Sequence, residues 1–146
     1  MANANTRTTN IGAQKTGEQL TLGRCFMVKY FMIGSGGHDP STNLAIVPDP
    51  TLTELPSPKF SDPVLIPTGS AYQVGPRQTQ YRITLGAGVA SGAMSSVGLY
   101  AEIVSVVNPN DASLIGTKFL YAVMNFNLYN KPDDEPRVLT LTLNNV

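Results

Sequence analysis

Several residue types are scarce in this sequence, and each scarcity excludes a class of function. The chain of 146 residues has no tryptophan, one cysteine and one histidine. A single Cys25 cannot form an internal disulfide, and one histidine leaves zinc without the usual nitrogen and sulfur ligands. No stretch of 18 apolar residues is present, so the sequence predicts no membrane span. The first ten residues, "MANANTRTTN", have no apolar core typical of a signal peptide, and we expect synthesis in a cytoplasm.

Charge is also scarce. Charged residues make up 14% of the chain, with ten basic and ten acidic side chains, against about 25% in ordinary soluble domains. Nucleic acids and anionic membranes attract clustered basic charge, so neither is an expected partner. A neutral polar surface of this kind favours a component of an assembly, in which other chains cover part of the surface.

The arrangement of apolar residues predicts a mainly β fold. The run "RCFMVKYFMI" (24–33) has apolar side chains on both faces, which is typical of a central strand. The stretches "TQYRITL" and "RVLTLTLNN" alternate apolar and polar residues, as strands with one buried face do. We predict an antiparallel β-sandwich or Greek-key domain over residues 13–146, with at most one short helix. The only segment with a possible helical period is 87–97, and residues 13–23 are ambiguous between strand and loop.

Two segments are predicted to lie outside the regular strands. Residues 1–12 are mainly Asn, Thr and Ala, and we expect them to form a flexible N-terminal arm. Seven of the eleven prolines fall between Gly34 and Gly75, a density that forbids helix and interrupts strand pairing. This part of the chain is predicted to be a long ordered loop, and loops of such length are usually functional.

The turn "GSGGHDP" at the start of this loop offers three interpretations. Its glycines could form a phosphate cradle, but no Lys and Ser or Thr follow at P-loop spacing. His38 and Asp39 could bind a metal, but the chain has no second histidine to complete the ligand set. A turn that ends the strand, with glycines providing backbone freedom, is the favoured interpretation.

No catalytic constellation is evident. The acidic run Asp133 to Glu135 lies between prolines, as solvated charge usually does, and no serine has the neighbours of a nucleophile elbow. We therefore expect no enzymatic activity, no cofactor and no metal. A carbohydrate-binding module remains the alternative, because Tyr72, Tyr81, Tyr100 and Tyr129 could form an aromatic platform.

The order of the segments resembles the N-terminal attachment domain of phage tail-fibre proteins of the tail-collar type, over about residues 24–145. The strand ends in "FMIGSGGHDP", the loop contains "PDPTLTELPSPKF", and two later strands contain "SSVGLYAEI" and "LIGTKFLYAVMNFNLYNKPDD". The residues that match the family pattern are Gly34, Gly36, Gly37, Leu52, Glu54, Lys59, Gly98, Leu99, Tyr100, Glu102, Tyr121, Ala122 and Lys131. Ser35 departs from it, since an acidic residue is usual at that position.

The resemblance implies a structural protein of the virion tail that attaches a fibre to a baseplate or collar. It implies a homo-oligomer, with a trimer favoured, and contacts with other tail proteins. We expect those contacts to involve the arm and the loop. The candidate partner-binding residues are Asn3, Asn5, Arg7, Asn10, His38, Asp39, Leu52, Glu54 and Lys59.

Overall fold

The structure, a computed structural model, describes residues 6–144. The strands are β1 (Thr6–Thr8), β2 (Arg24–Gly34), β3 (Val64–Leu65), β4 (Ala71–Gly75), β5 (Gln78–Leu85), β6 (Gly92–Val106), β7 (Lys118–Lys131) and β8 (Arg137–Asn144). Helix α1 spans Asn10–Leu22, and a 3-10 helix spans Pro109–Leu114. Neither helix has the length and apolar character needed to cross a membrane.

Two antiparallel sheets make up the body of the protein. The larger sheet has the order β1-β7-β6-β2-β3, and the smaller has the order β4-β5-β8. Their facing sides share one apolar core, which confirms the predicted mainly β fold and is consistent with a sandwich. The core residues are Phe31, Ile33, Tyr81, Ile83, Leu85, Met94, Val97, Leu99, Ala122, Met124, Phe126, Leu139, Leu141 and Leu143.

The larger sheet is buried on its second face as well. Over part of this face, Met32, Leu120 and Val123 pack against Leu55 from the long loop. On the core face, Ala101 and Ile103 continue the alternation of β6, and Ile11 of α1 packs there beside the edge-to-face pair of Phe26 and Phe119. This double coverage explains why the sequence of β2 is apolar at consecutive positions rather than at alternate ones.

The N-terminal region differs from the predicted flexible arm. Thr6–Thr8 pairs with β7 as strand β1, and the following residue, Thr9, is buried. The Thr9 hydroxyl donates to the Leu120 carbonyl at 2.6 Å and accepts from the Gly12 amide at 2.9 Å, so it caps α1 and ties it to the sheet. The boundary at residue 12 is therefore wrong for residues 6–12. Residues 1–5 lie outside the described residues.

The single long helix lies at residues 10–22 rather than at 87–97. It buries little apolar surface, so its sequence lacks a helical period, but both of its ends carry recognisable signals. Thr9 provides the N-cap, and Gly23 ends the helix with a left-handed φ of 67°. In the 87–97 segment, a register shift between Met94 and Ser96 brings both Met94 and Val97 into the core. This bulge in a strand produced the spacing of three that suggested a helix.

Candidate partner-binding surface

The long loop, residues 35–63, lies against the outer face of the larger sheet. The Lys59 amide donates to the Ile33 carbonyl at 2.8 Å, and the Ser35 amide donates to the Ser57 carbonyl at 3.1 Å. Leu55 is buried against the sheet, and its amide donates to the Tyr100 hydroxyl at 3.1 Å. Polar and apolar contacts together fix the path of the loop.

The first part of the loop folds back on itself as a small hairpin, residues 37–47. The Ile46 amide donates to the Gly37 carbonyl at 3.0 Å, and the Asp39 amide donates to the Leu44 carbonyl at 2.9 Å. His38 and Ala45 lie opposite each other between these two hydrogen bonds, as an isolated antiparallel β-bridge. The hairpin therefore brings His38 and Asp39 beside the stretch "NLAIV".

Side chains of two strands anchor this 37–47 hairpin to the larger sheet. The Gly37 amide donates to the Ser95 hydroxyl at 2.8 Å. Asn125 donates to the Ile46 carbonyl at 3.0 Å, and the side-chain carbonyl of Asn127 accepts from the Ala45 amide at 2.9 Å. Three polar side chains of β6 and β7 thus bind three backbone groups of the hairpin.

The glycines of "GSGG" are required for close approach rather than for unusual backbone angles. A Cβ on Gly34 would lie 2.7 Å from Ser96 Oγ and 2.8 Å from the Pro56 carbonyl oxygen. A Cβ on Gly37 would lie 2.6 Å from Asn125 Oδ1 and would overlap the Ser95 carbonyl oxygen. Neither glycine is among the residues with positive φ. The expectation of backbone freedom is corrected accordingly.

His38 and Asp39 are both engaged in holding the hairpin. The His38 ring places Nδ1 2.8 Å from the buried Ser95 hydroxyl, which also accepts from the Gly37 amide. Asp39 Oδ1 accepts from the Ser41 amide and hydroxyl at 2.8 and 2.7 Å, and these bonds lower the pKa of the Asp39 carboxyl. Within residues 6–144 no group of three or more His, Cys, Asp or Glu is placed to hold a metal.

Beside these two residues the hairpin presents apolar side chains to solvent. Leu44, Ile46 and Val47 are 56%, 43% and 69% exposed. Single exposed apolar residues are ordinary on protein surfaces, but three within four positions on an anchored loop form a local apolar surface. Such a surface is suited to contact with another protein.

The other candidate residues of the loop have different surroundings. Leu52 is half-buried against the cluster that contains Leu55, and Lys59 Nζ donates to the Ala93 carbonyl at 3.0 Å. These two side chains hold the loop to the sheet. Glu54 has an exposed side chain.

The N-terminal candidates meet a different part of the loop. Asn3 and Asn5 lie outside the described residues. The Asn10 amide donates to the Pro50 carbonyl at 2.7 Å, which joins the first turn of α1 to the loop. Two bonds from Thr51 lower the pKa of Asp49, and the charge of exposed Arg7 lowers it further. Arg7, Asn10 and the turn at 49–51 therefore form a second group, separate in sequence from the hairpin.

Among the residues that carry the tail-collar resemblance, Gly98 and Tyr100 contact the loop, whereas Glu102 contacts β2. Gly98 leaves only the space needed by Leu120 and Leu55, since a Cβ there would lie 3.0 and 3.4 Å from their methyl carbons. Tyr100 binds the Leu55 amide, as described above. Glu102 forms an ion pair with Lys29 at 2.7 Å, and this bond lowers the pKa of Glu102.

Sequence reasoning did not identify the anchoring residues Ser95, Asn125 and Asn127. Ser95 and Asn125 are buried polar residues inside otherwise apolar strands. A buried polar side chain needs a hydrogen-bond partner, so this pattern is a usable signal for a segment packed against the strand.

Comparison with known proteins identifies no relative: no family model matches the sequence, and no curated protein or solved structure matches it.

Proposed function

We propose that this protein is a structural component of a phage tail, an adaptor that attaches a fibre to a baseplate or collar through protein–protein contacts. The observation that supports this proposal best is the 37–47 hairpin, which is fixed to the larger sheet and exposes Leu44, Ile46 and Val47. The resemblance of the segment order to tail-collar attachment domains supplies the biological setting.

The anchoring of the hairpin favours binding on physical grounds. A loop that is already ordered loses less conformational entropy when a partner docks than a mobile loop would. The proline Pro48, directly after the hairpin, is buried and restricts the backbone further. Apolar side chains on such a rigid support can be buried at an interface with little rearrangement.

The proposal divides the surface between two kinds of contact. The β body makes contacts between copies of the chain, and the hairpin binds the second tail protein. Residues 1–5 are the part of the predicted arm still available for that role. A truncation that tests this role should remove residues 2–5 only, because a deletion that extends to residue 10 would also remove β1 and the Thr9 cap.

Two measurements test the proposal. Mass spectrometry of gradient-purified phage particles, made from the genome that encodes this chain, should detect the protein as a constituent. In the same genome, Leu44→Asp with Val47→Asp should abolish incorporation while the purified variant stays folded. Leu20→Asp is the matched control, because Leu20 is 81% exposed on α1, away from the hairpin in sequence, and should leave incorporation unchanged. Absence of the protein from particles would refute the proposal, and equal incorporation of all variants would refute the role of the hairpin.

The carbohydrate-binding alternative has less structural support. Tyr81 lies in the sandwich core and Tyr100 binds the loop, so these side chains do not join Tyr72 in an exposed platform. Tyr129 is half-buried and accepts a bond from Arg137 at 2.6 Å. Binding of the isolated protein to a glycan array, lost in Tyr72→Ala, would favour this alternative over the adaptor.

A further inference from the structure

Strand β8 forms an edge unlike the other sheet edges. At the other edges, β1 and β3 have three and two residues, and β4 has five residues with a register shift between Gln73 and Gly75. β8 has eight residues in unbroken register with β5 and has neither proline nor charge from 138 to 144. Proteins usually protect an exposed edge by shortness, bulges, proline or charge, and β8 has none of these protections.

The hydrogen-bonding direction of each β8 residue follows from its neighbours. The Arg82 amide donates to Ser70, which directly precedes β4, so even-numbered residues of β5 direct their backbone groups toward β4. Odd-numbered residues of β5 then bind β8, and their partners are Leu139, Leu141 and Leu143. The amides and carbonyls of Val138, Thr140, Thr142 and Asn144 point away from β5. Within residues 6–144 no strand pairs with this side of β8, although β1 lies beside it.

The sequence of this edge is symmetric about Leu141. Residues 139–143 read Leu-Thr-Leu-Thr-Leu in both directions. An antiparallel pair of two such strands, centred on Leu141, places Leu139 opposite Leu143 of the second copy and Thr140 opposite its Thr142. The leucines stay on the core face and the threonines on the outer face, so no side chain changes sides.

The hydrogen bonds fit the same register. Leu141 directs its backbone groups to β5, so its pairing with the second Leu141 is a non-hydrogen-bonded position, where opposite side chains are closest. Thr140 then exchanges two bonds with the second Thr142, and Val138 exchanges two with the second Asn144. All of the outward-pointing groups from 138 to 144 find partners.

We propose that two copies of this chain pair through β8, antiparallel and centred on Leu141, to give a continuous six-stranded sheet across a two-fold axis. The inference does not depend on the proposed tail function. It differs from the trimer implied by the resemblance, because antiparallel self-pairing joins two copies and no more.

The first test is the mass of the purified protein by sedimentation equilibrium. The wild type should sediment at twice the chain mass. Thr140→Lys with Thr142→Lys places like charges opposite each other across the two-fold axis and should weaken the dimer at least about tenfold. Thr140→Glu with Thr142→Glu should do the same, and an equimolar mixture of the two variants should recover a dimer. The control, Gln73→Lys with Val74→Lys on exposed positions of β4, two strands away from the pairing edge, should dimerise as the wild type does.

The second test is residue-resolved amide exchange by NMR. In the wild-type dimer the amides of Val138, Thr140, Thr142 and Asn144 should be protected, and in the lysine variant they should exchange at least about tenfold faster. The odd-numbered amides bound to β5 should stay protected in both, which also verifies that the variant is folded. A monomeric wild type, a trimer, a dimer unaffected by either charged variant, or even-numbered amides protected in a monomer would each overturn the proposal.

Discussion

Replacing Gly37 by alanine tests the close contact that anchors the 37–47 hairpin. The added Cβ would lie 2.6 Å from Asn125 Oδ1 and would overlap the carbonyl oxygen of Ser95. Ser95 lies in β6 between Met94 and Ser96, which both pair with β7, so a shift of its carbonyl would disturb this part of the larger sheet. The hairpin must move away from the sheet instead.

The expected loss of stability has two parts. Inserting a methyl group into a packed contact costs about 1–3 kcal/mol. Moving the hairpin also breaks the bond from the Gly37 amide to Ser95, which is worth about 1 kcal/mol. We therefore expect Gly37→Ala to lower the free energy of unfolding by about 2–4 kcal/mol, which corresponds to a fall in Tm on the order of 10 °C.

The assay is urea unfolding followed by circular dichroism, since the chain has no tryptophan to report by fluorescence. Gly17→Ala is the matched control, because Gly17 lies within α1 and a Cβ there would meet nothing within 4 Å. Removing a helical glycine should raise stability by about 0.5–1 kcal/mol, so the two substitutions should act in opposite directions. If Gly37→Ala were as stable as the wild type, the hairpin would not be seated against Ser95 and Asn125, and the argument for a rigid binding surface would fail.

Substitutions at three further residues probe the remaining contacts. Thr9→Ala should lower the free energy of unfolding by about 2 kcal/mol, through loss of the helix cap and of a buried bond to the sheet, whereas Thr9→Ser should retain most of it; urea unfolding measures both. Arg24 lowers the pKa of Asp111 by hydrogen bonding, so this pair stabilises the fold above the unfolded pKa of about 3.9 and the effect is lost as the pH falls through the lower folded value. Asp111→Asn should therefore be less stable than the wild type at pH 7, with the difference in Tm vanishing in strong acid. Burial raises the pKa of Tyr81 to about 12, so the wild type should lose stability between about pH 10 and 12, and Tyr81→Phe should lose less in the same alkaline titration.

The sandwich could be predicted because its strands differ in how they are buried. β5 and β8 have one face in the core, and their alternation of apolar and polar residues is visible in the sequence. β2 is covered on both faces, and its continuous apolar run correctly predicts this double burial. The helix was not predicted, because α1 buries few side chains and its sequence therefore has no apolar stripe. Its two end signals, Thr9 and Gly23, were present in the sequence.

The candidate surface could be predicted only in part, because its geometry depends on contacts between distant residues. The sequence indicates a proline-rich loop and a glycine turn, but it does not show that Ser95 and Asn125 receive that turn. These contacts span 58 residues between Gly37 and Ser95, and 79 between Ile46 and Asn125. Local patterns contain no information on such pairs, except that a buried polar residue must find a partner.

In the stretch "GLYAE" of β6, Gly98 and Tyr100 both contact Leu55 of the long loop, and these contacts help to hold the loop in one conformation. Gly98 admits the Leu55 side chain, and the Tyr100 hydroxyl binds the Leu55 amide, so one loop residue is held by both its side chain and its backbone. Burial raises the pKa of Tyr100, while the bond from Leu55 opposes that rise, which is the behaviour of a hydroxyl that the loop covers and contacts. Because Leu55 lies between the hairpin and the return of the chain at Lys59, fixing it restricts the segments on both sides. Leu44, Ile46 and Val47 therefore remain exposed on a segment whose backbone is fixed to the sheet.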